Sequence, residues 1–173
     1  LETFYGKIQT PVFMPVGTLA SVKGITKQTL EKLNYDIILS NTYHLMLRPG
    51  LKIIKNIGGL NKFMSWNKSI VTDSGGFPIM SFGNNVKVDN EGVTFRSHRD
   101  GELVRINAEK AMDIQYNLGS TISMIFDECV PYPYSYCDTE ESLKRSVEWS
   151  KRSIKAYIRR DGYGVFGIVQ GGM

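Results

Sequence analysis

Three segments of this chain run from apolar, β-prone residues into a polar or glycine-rich tip: Val71-Thr72-Asp73-Ser74-Gly75-Gly76-Phe77, Phe126-Asp127-Glu128-Cys129 and Ile168-Val169-Gln170-Gly171-Gly172. Such a run reads as the carboxyl end of a buried parallel strand, where ligand and catalytic groups sit. Asp73 precedes Ser-Gly-Gly, and glycine lets the backbone come close to a ligand. A carboxylate placed there exchanges a proton with a bound base or leaving group; it serves equally well to cap the turn that follows. Asp127 suits the planar edge of a guanine, accepting from N1–H and the exocyclic amine side by side. Its plainer role is a bond to a neighbouring strand or an arginine. Glu128 points the other way if the chain there is still extended. Gln170 offers a donor and an acceptor to a purine carbonyl and ring nitrogen, although a lone glutamine more often bonds backbone. Phe77 stacks on a flat base or joins the core. Cys129 reads as a pocket wall before a nucleophile, because neither His44 nor His98 adjoins it in sequence.

The elements that must position these groups alternate. Residues 6–17, broken by Pro11 and Pro15, read as small antiparallel strands capping one end. Thr26 caps a short helix carrying Leu30 and Leu33, and a buried strand follows over 36–40, with Asn41-Thr42-Tyr43-His44 at its tip. Pro49 starts a second helix that Gly58-Gly59 ends. A strand over 69–72 opens into Asp73. Residues 86–106 form an antiparallel insertion, with turns at Asp89-Asn90-Glu91-Gly92 and Asp100-Gly101. Asn107 caps a helix with Ala111, Ile114 and Leu118 on one face, closed by Gly119. A third strand covers 121–126. Asp138 and Glu141 cap a long helix to about Arg160, with Leu143, Val147, Ile154 and Ile158 at helical spacing. Its Lys144, Arg145, Lys151, Arg152, Lys155, Arg159 and Arg160 read as a solvated outer face before a phosphate-binding one. A fourth strand covers 165–168. Strands alternating with helices predict an α/β fold with a parallel sheet.

Four strand–helix units are half of an eight-stranded barrel, which typically needs about 250 residues. The 173 residues are therefore expected to be part of something longer. Composition is ordinary for a globular domain, with 42% apolar and 22% charged residues. A net charge of +4 permits an RNA partner without demanding one. No apolar run approaches the roughly 20 residues that span a bilayer. Two cysteines, Cys129 and Cys137, fit a reducing cytoplasm better than a disulfide scaffold, and their spacing is not that of a zinc ribbon.

Taken in order, the motifs resemble the tRNA-guanine transglycosylase family, bacterial type, over the whole chain. Besides Asp73 to Phe77, the resemblance rests on Pro11 to Thr18, Val22-Lys23-Gly24, Asn41 to Leu45 and Arg48-Pro49-Gly50. It also rests on Phe126 to Cys129 with Pro131-Tyr132-Pro133, and on Phe166-Gly167-Ile168 with Gln170-Gly171. It implies an irregular (β/α)8 TIM barrel, of which residues 1–173 supply about the first four β/α units plus the antiparallel insertion. The implied reaction replaces guanine at the anticodon wobble position of tRNA with a 7-deazaguanine, prequeuine, through a covalent aspartyl intermediate. By resemblance Asp73 is the general acid/base, Asp127 and Gln170 read the purine edge with Gly171 beside them, Ser74, Gly75, Gly76 and Phe77 shape the base pocket, and Cys129 lines it. The resemblance further implies a cytoplasmic homodimer. The nucleophilic aspartate and a structural zinc site are expected in a carboxyl-terminal half outside these residues; within them no metal ligand is assigned. Pro78 departs from the family's glutamine, fixing φ and removing an N–H donor. The chain alone is expected to bind a base weakly and not to complete the exchange.

Two other readings compete. One is a non-catalytic remnant that binds RNA or an active subunit; Pro78 favours it and the intact Asp73, Asp127 and Gln170 oppose it. The other is an unrelated barrel enzyme acting on phosphorylated small molecules, which needs a late anion-binding loop that the sequence does not show.

Overall fold

The computed structural model describes residues 1–81, 86–130 and 133–171; Pro131, Tyr132 and Gly172, used in the sequence reading, lie outside these. The chain opens with an antiparallel pair, β1 (Glu2–Thr3) and β2 (Gly6–Lys7), which falls earlier than the 6–17 expected. Pro11 and Pro15 lack the N–H that continued pairing requires, and among the described residues the later rung is a parallel bridge between Val16 and Leu39. Helix α1 (Lys27–Lys32) is capped by Thr26, whose hydroxyl accepts from Thr29 N–H. Leu30 is buried as expected, whereas Leu33, just past the last turn, is exposed. Strand β3 (Ile37–Ser40) follows, then a single turn, α2 (Thr42–Leu45), that sequence patterning did not show.

Pro49 does not start a helix. Arg48, restricted by the proline after it, is extended at φ −154°, ψ 124°, and α3 begins at Leu51 (Leu51–Ile57). Gly58 ends α3 in the left-handed region, as expected, and Gly59 leads straight into α4 (Leu60–Met64). Then come β4 (Ser69–Thr72) and α5 (Gly76–Met80). Pro78 is the third residue of α5, a first-turn position whose N–H has no partner inside a helix, so its proline ring fits there without breaking a bond. The insertion is the antiparallel sheet β5 (Val86–Asp89), β6 (Gly92–Arg96) and β7 (Leu103–Ile106), as expected. Helix α6 (Ala108–Leu118) has both expected ends. Asn107 accepts from Lys110 N–H, and Gly119 is left-handed at φ 77°.

After β8 (Ile122–Met124), α7 runs over Tyr136–Ala156, and β9 (Gly164–Phe166) completes the main sheet. The α7 cap is Ser135, whose hydroxyl accepts from Asp138 N–H; Asp138 is the third helical residue, not the cap. The expected inner stripe is also corrected. Leu143, Val147, Ile154 and Ile158 are between 47% and 61% exposed, while Thr139, Ser142, Ser146, Trp149 and Ser153 are buried.

The main sheet is parallel in the order β3-β4-β8-β9, with Ile37 opposite Ser69, Val71 opposite Ile122 and Met124 opposite Phe166. It is open and does not close on itself, so the fold is α/β with a parallel sheet. Helices cover one face, and the N-terminal segment partly covers the other, which fits its near-continuous apolar strands. One face carries Ile37, Val71 and Ile122, packed with Ile8 and flanked by Val12, Met14, Leu39 and Met124. The opposite face carries Ile38 and Ile70 against the helices, with Ile54, Leu60, Ile114, Leu118 and Trp149.

Candidate active site

Parallel strands bring their carboxyl ends to one side, and the three expected tips meet there. A cavity of about 500 Å³ has Asp73, Ser74, Phe77, Asp127, Cys129 and Gln170 at its polar end and Ile8, Val71, Ile122 and Phe166 along its apolar part. Gly75 and Gly76 form the turn under this rim. Gly171 instead lines a smaller adjoining cavity of about 170 Å³ with Glu128, Cys129 and Gln170.

Asp73 leaves β4 with its own N–H on Ser40 O at 3.3 Å. Its carboxylate accepts from Asn41 Nδ2 at 2.6 Å and from Thr42 N–H at 2.7 Å, and its carbonyl accepts from the Thr42 hydroxyl at 2.6 Å. It thus caps the start of α2 from the neighbouring strand while lining the cavity. Asn41 and Thr42 were placed at the β3 tip by sequence, but their grip on Asp73 crosses between strands and leaves no trace in spacing. Burial raises the Asp73 carboxyl above the ordinary 3.8, against the lowering pull of the bonds from Asn41, Thr42 and Gly75 and of His44 nearby.

Asp127 is buried and faces the same cavity. Ser74 Oγ donates to its Oδ1 at 3.0 Å, and the Gln170 amide donates to Oδ2. Burial raises this carboxyl too, and the charge of Asp73 adds to the rise; the Ser74 and Gln170 bonds oppose it. Gly75 is left-handed at φ 84°, and Gly76 lies so close to the Asp127 carbonyl that a methyl at that position would stand 2.6 Å from it. The Gly-Gly pair therefore serves two needs, a turn conformation and a close approach. Gly76 N–H also donates to Ser74 Oγ at 3.2 Å, which makes Ser74 the link between the turn and Asp127.

Phe77 is 68% exposed and lines the cavity, so it is no core residue. Burial first, and then the Asp127 charge, push the Cys129 thiol up, which keeps it neutral and matches a wall better than a nucleophile. His98 Nδ1 pairs with the Tyr43 hydroxyl at 2.6 Å, and its ring lies 6.3 Å from that of His44. Glu128 turns away from the cavity, as alternation predicts, and meets Arg145 of α7. Among the described residues, no group of three or more histidine, cysteine, aspartate or glutamate residues could hold a metal ion. No helix among them is long and apolar enough to cross a membrane.

Two desolvated carboxylates on adjacent strand tips, bridged by a serine and faced by an amide, form an arrangement chemically suited to proton exchange and to bonding a polar planar edge beside an apolar slot. The family model described as queuine tRNA-ribosyltransferase matches residues 1–173. Proteins named queuine tRNA-ribosyltransferase from Bacillus licheniformis and Bacillus subtilis are 52% and 51% identical over 172 residues, 99% of this chain and 45% of theirs. One of the same name from Natranaerobius thermophilus is 51% identical over all of this chain and 47% of its own. The chain belongs to the queuine tRNA-ribosyltransferase family. It spans about half the length of the curated relatives it matches.

Proposed function

We propose that this chain is the base-binding part of an enzyme that exchanges guanine at the tRNA wobble position for a 7-deazaguanine in queuosine biosynthesis. The observation that carries the reading is the pairing of Asp73 and Asp127, both raised by burial, at one cavity mouth. In this reading a guanine flipped from the anticodon loop enters the slot edge-first. Asp127 accepts from guanine N1–H and its exocyclic amine; each oxygen keeps a lone pair besides those used by Ser74 and Gln170. Gln170 bonds the purine's carbonyl side, with Gly171 beside it. Phe77, exposed at the rim, stacks on the ring plane, and Ser74 with Gly75 and Gly76 shapes the floor. Cys129, held neutral, walls the slot. Asp73, whose carboxyl burial raises and so helps to hold a proton, gives one to the departing guanine and takes one from the entering base. Protonation leaves Asp73 one carbonyl oxygen as a full acceptor and turns the other into a hydroxyl, so taking up the proton weakens its hold by Asn41 or Thr42.

The same proposal takes the open sheet as the first four units of a (β/α)8 barrel within one catalytic domain. By the resemblance set out above, the attacking aspartate and a structural zinc site belong to the part of the relatives that this chain does not cover. The residues described here offer no grouping that suits the zinc, so no step passes through it. A homodimer, the cytoplasm and the tRNA anticodon loop as partner belong to the proposal in the same way.

The test is a calorimetric titration of free guanine into this chain and into Asp127→Ala, with exchange of labelled guanine in tRNA measured alongside. Binding by the parent that is lost in Asp127→Ala supports the reading. Equal binding by both, or none by the parent, overturns it. Binding without exchange identifies a base-binding member that needs further residues to react.

A further inference from the structure

Glu128 belongs to a strand tip of the site, yet the proposed reaction gives it no part. Its side chain is only 6% exposed, and Arg145, itself 20% exposed, grips it with two bonds, Nε to Oε2 at 2.6 Å and Nη2 to Oε1 at 3.1 Å. Arg145 was read from sequence as part of a solvated face; the structure turns it inward. The backbone here is held as well. Past Met124 the chain leaves the sheet ladder, with Ile125 N–H bonded to Phe166 O at 3.1 Å. The next buried amides need partners from elsewhere. Helix α7 supplies them, Ser153 Oγ accepting from Phe126 N–H at 3.0 Å and Ser146 Oγ from Glu128 N–H at 3.0 Å. Ser142 Oγ donates to Glu128 O at 3.3 Å. Asp127 therefore sits between two residues tied to α7, and those ties fix the direction in which its carboxylate leaves the backbone.

We propose that Glu128 and Arg145 are positioning residues for the purine-reading edge. Their ion pair fastens α7 to the β8 tip and sets the orientation of Asp127 and Cys129. A two-pronged guanidinium–carboxylate contact defines an angle, which a lysine ammonium does not. The inference rests on the base-binding reading of the cavity.

The experiment compares the parent with Glu128→Gln, Arg145→Lys and Arg152→Ala. Guanine affinity is read by calorimetry, amide hydrogen exchange at Asp127, Glu128 and Cys129 by NMR, and the thermal midpoint by circular dichroism. Arg152 is the control, because it also pairs from α7, with Glu109 at 2.7 Å, but touches the turn at Asn90 and not the β8 tip. Glu128→Gln and Arg145→Lys are expected to weaken guanine binding about tenfold, the scale of one lost charge-assisted bond. They are also expected to speed exchange at the three amides. Arg152→Ala is expected to leave both readouts at parent values even where it lowers the midpoint. Parent-like affinity and exchange in the two clamp variants would overturn the inference, as would changes that merely follow the midpoint across all three. Should the parent bind no guanine, the base-binding reading falls on its own. The exchange readout still decides the clamp, and unchanged protection at 127–129 overturns it.

Discussion

Gly76→Ala is the sharpest probe of how closely the two acidic tips are fitted together. A methyl there meets the Asp127 carbonyl at 2.6 Å, with Asp127 Oδ1 and Ser74 Oγ both at 3.3 Å. Ordinary contact begins at 3.4 Å, so the shortfall is about 0.8 Å against a backbone atom that cannot swing aside. Overpacking of that order costs about 1–3 kcal/mol. The movement has a direction, since it pushes Asp127 away from the turn that carries Ser74. Stretching a hydrogen bond of 3.0 Å by that amount takes it past the useful range. Guanine binding is then expected to fall by about 2 kcal/mol, roughly thirtyfold. Gly101→Ala separates this from a general glycine effect, because Gly101 is left-handed at φ 75° but has nothing within 4 Å of the added carbon. That variant pays a conformational cost of about 1 kcal/mol and should bind guanine as the parent does. Urea unfolding gives the stabilities and calorimetry the affinities. The reasoning is refuted if Gly76→Ala binds guanine within about twofold of the parent, well under one kcal/mol.

Two further outcomes follow from the same contacts. Burial raises Asp127 above its ordinary 3.8, so the folded state takes up this proton before the unfolded state does. Its contribution to stability is full below that ordinary value and is lost as pH rises through the folded pKa. Asp127→Asn should therefore gain stability relative to the parent toward neutral pH, and superimposable curves of urea midpoint against pH would sink the assignment. Trp149 is fully buried, stacks on Phe126 at 5.0 Å between ring centres and donates from Nε1 to Asn90 O at 2.7 Å. Trp149→Phe should cost about 2–4 kcal/mol through the void and the lost bond, and a loss below about 1 kcal/mol in urea unfolding would contradict that packing.

Where local chemistry decides an element, the sequence showed it. Thr26, Asn107 and Gly119 end their helices as read, and Asp89 to Gly92 turns the insertion where the residues say it must. The cavity residues were legible because a parallel strand declares its carboxyl end. Long-range satisfaction was not legible. The inner face of α7 could not be read from hydrophobic periodicity, because its partner is an irregular strand exit whose amides require hydroxyls. Serines spaced for that task look like a solvated face. Asn41 was hidden for a similar reason, since its bond to Asp73 joins residues 32 apart. Pro49 misled because the restriction it places on Arg48 outweighs its own suitability for a first turn.

The serine face of α7 also bears on how the domain finds its correct register while folding. A helix docked by leucines alone can slide by a turn, about 5.4 Å, and recover much of its buried area. One docked through Ser153 resists this, because a one-turn slip brings Trp149 or Tyr157 to its place and strands the Phe126 amide away from its hydroxyl acceptor, although Ser142 or Ser150 would still meet the Glu128 amide. The Ser153 hydroxyl thus acts as a check on docking, disfavouring near-miss arrangements that apolar packing would tolerate. The strand exit that carries Asp127 settles fully only when α7 is in its native position.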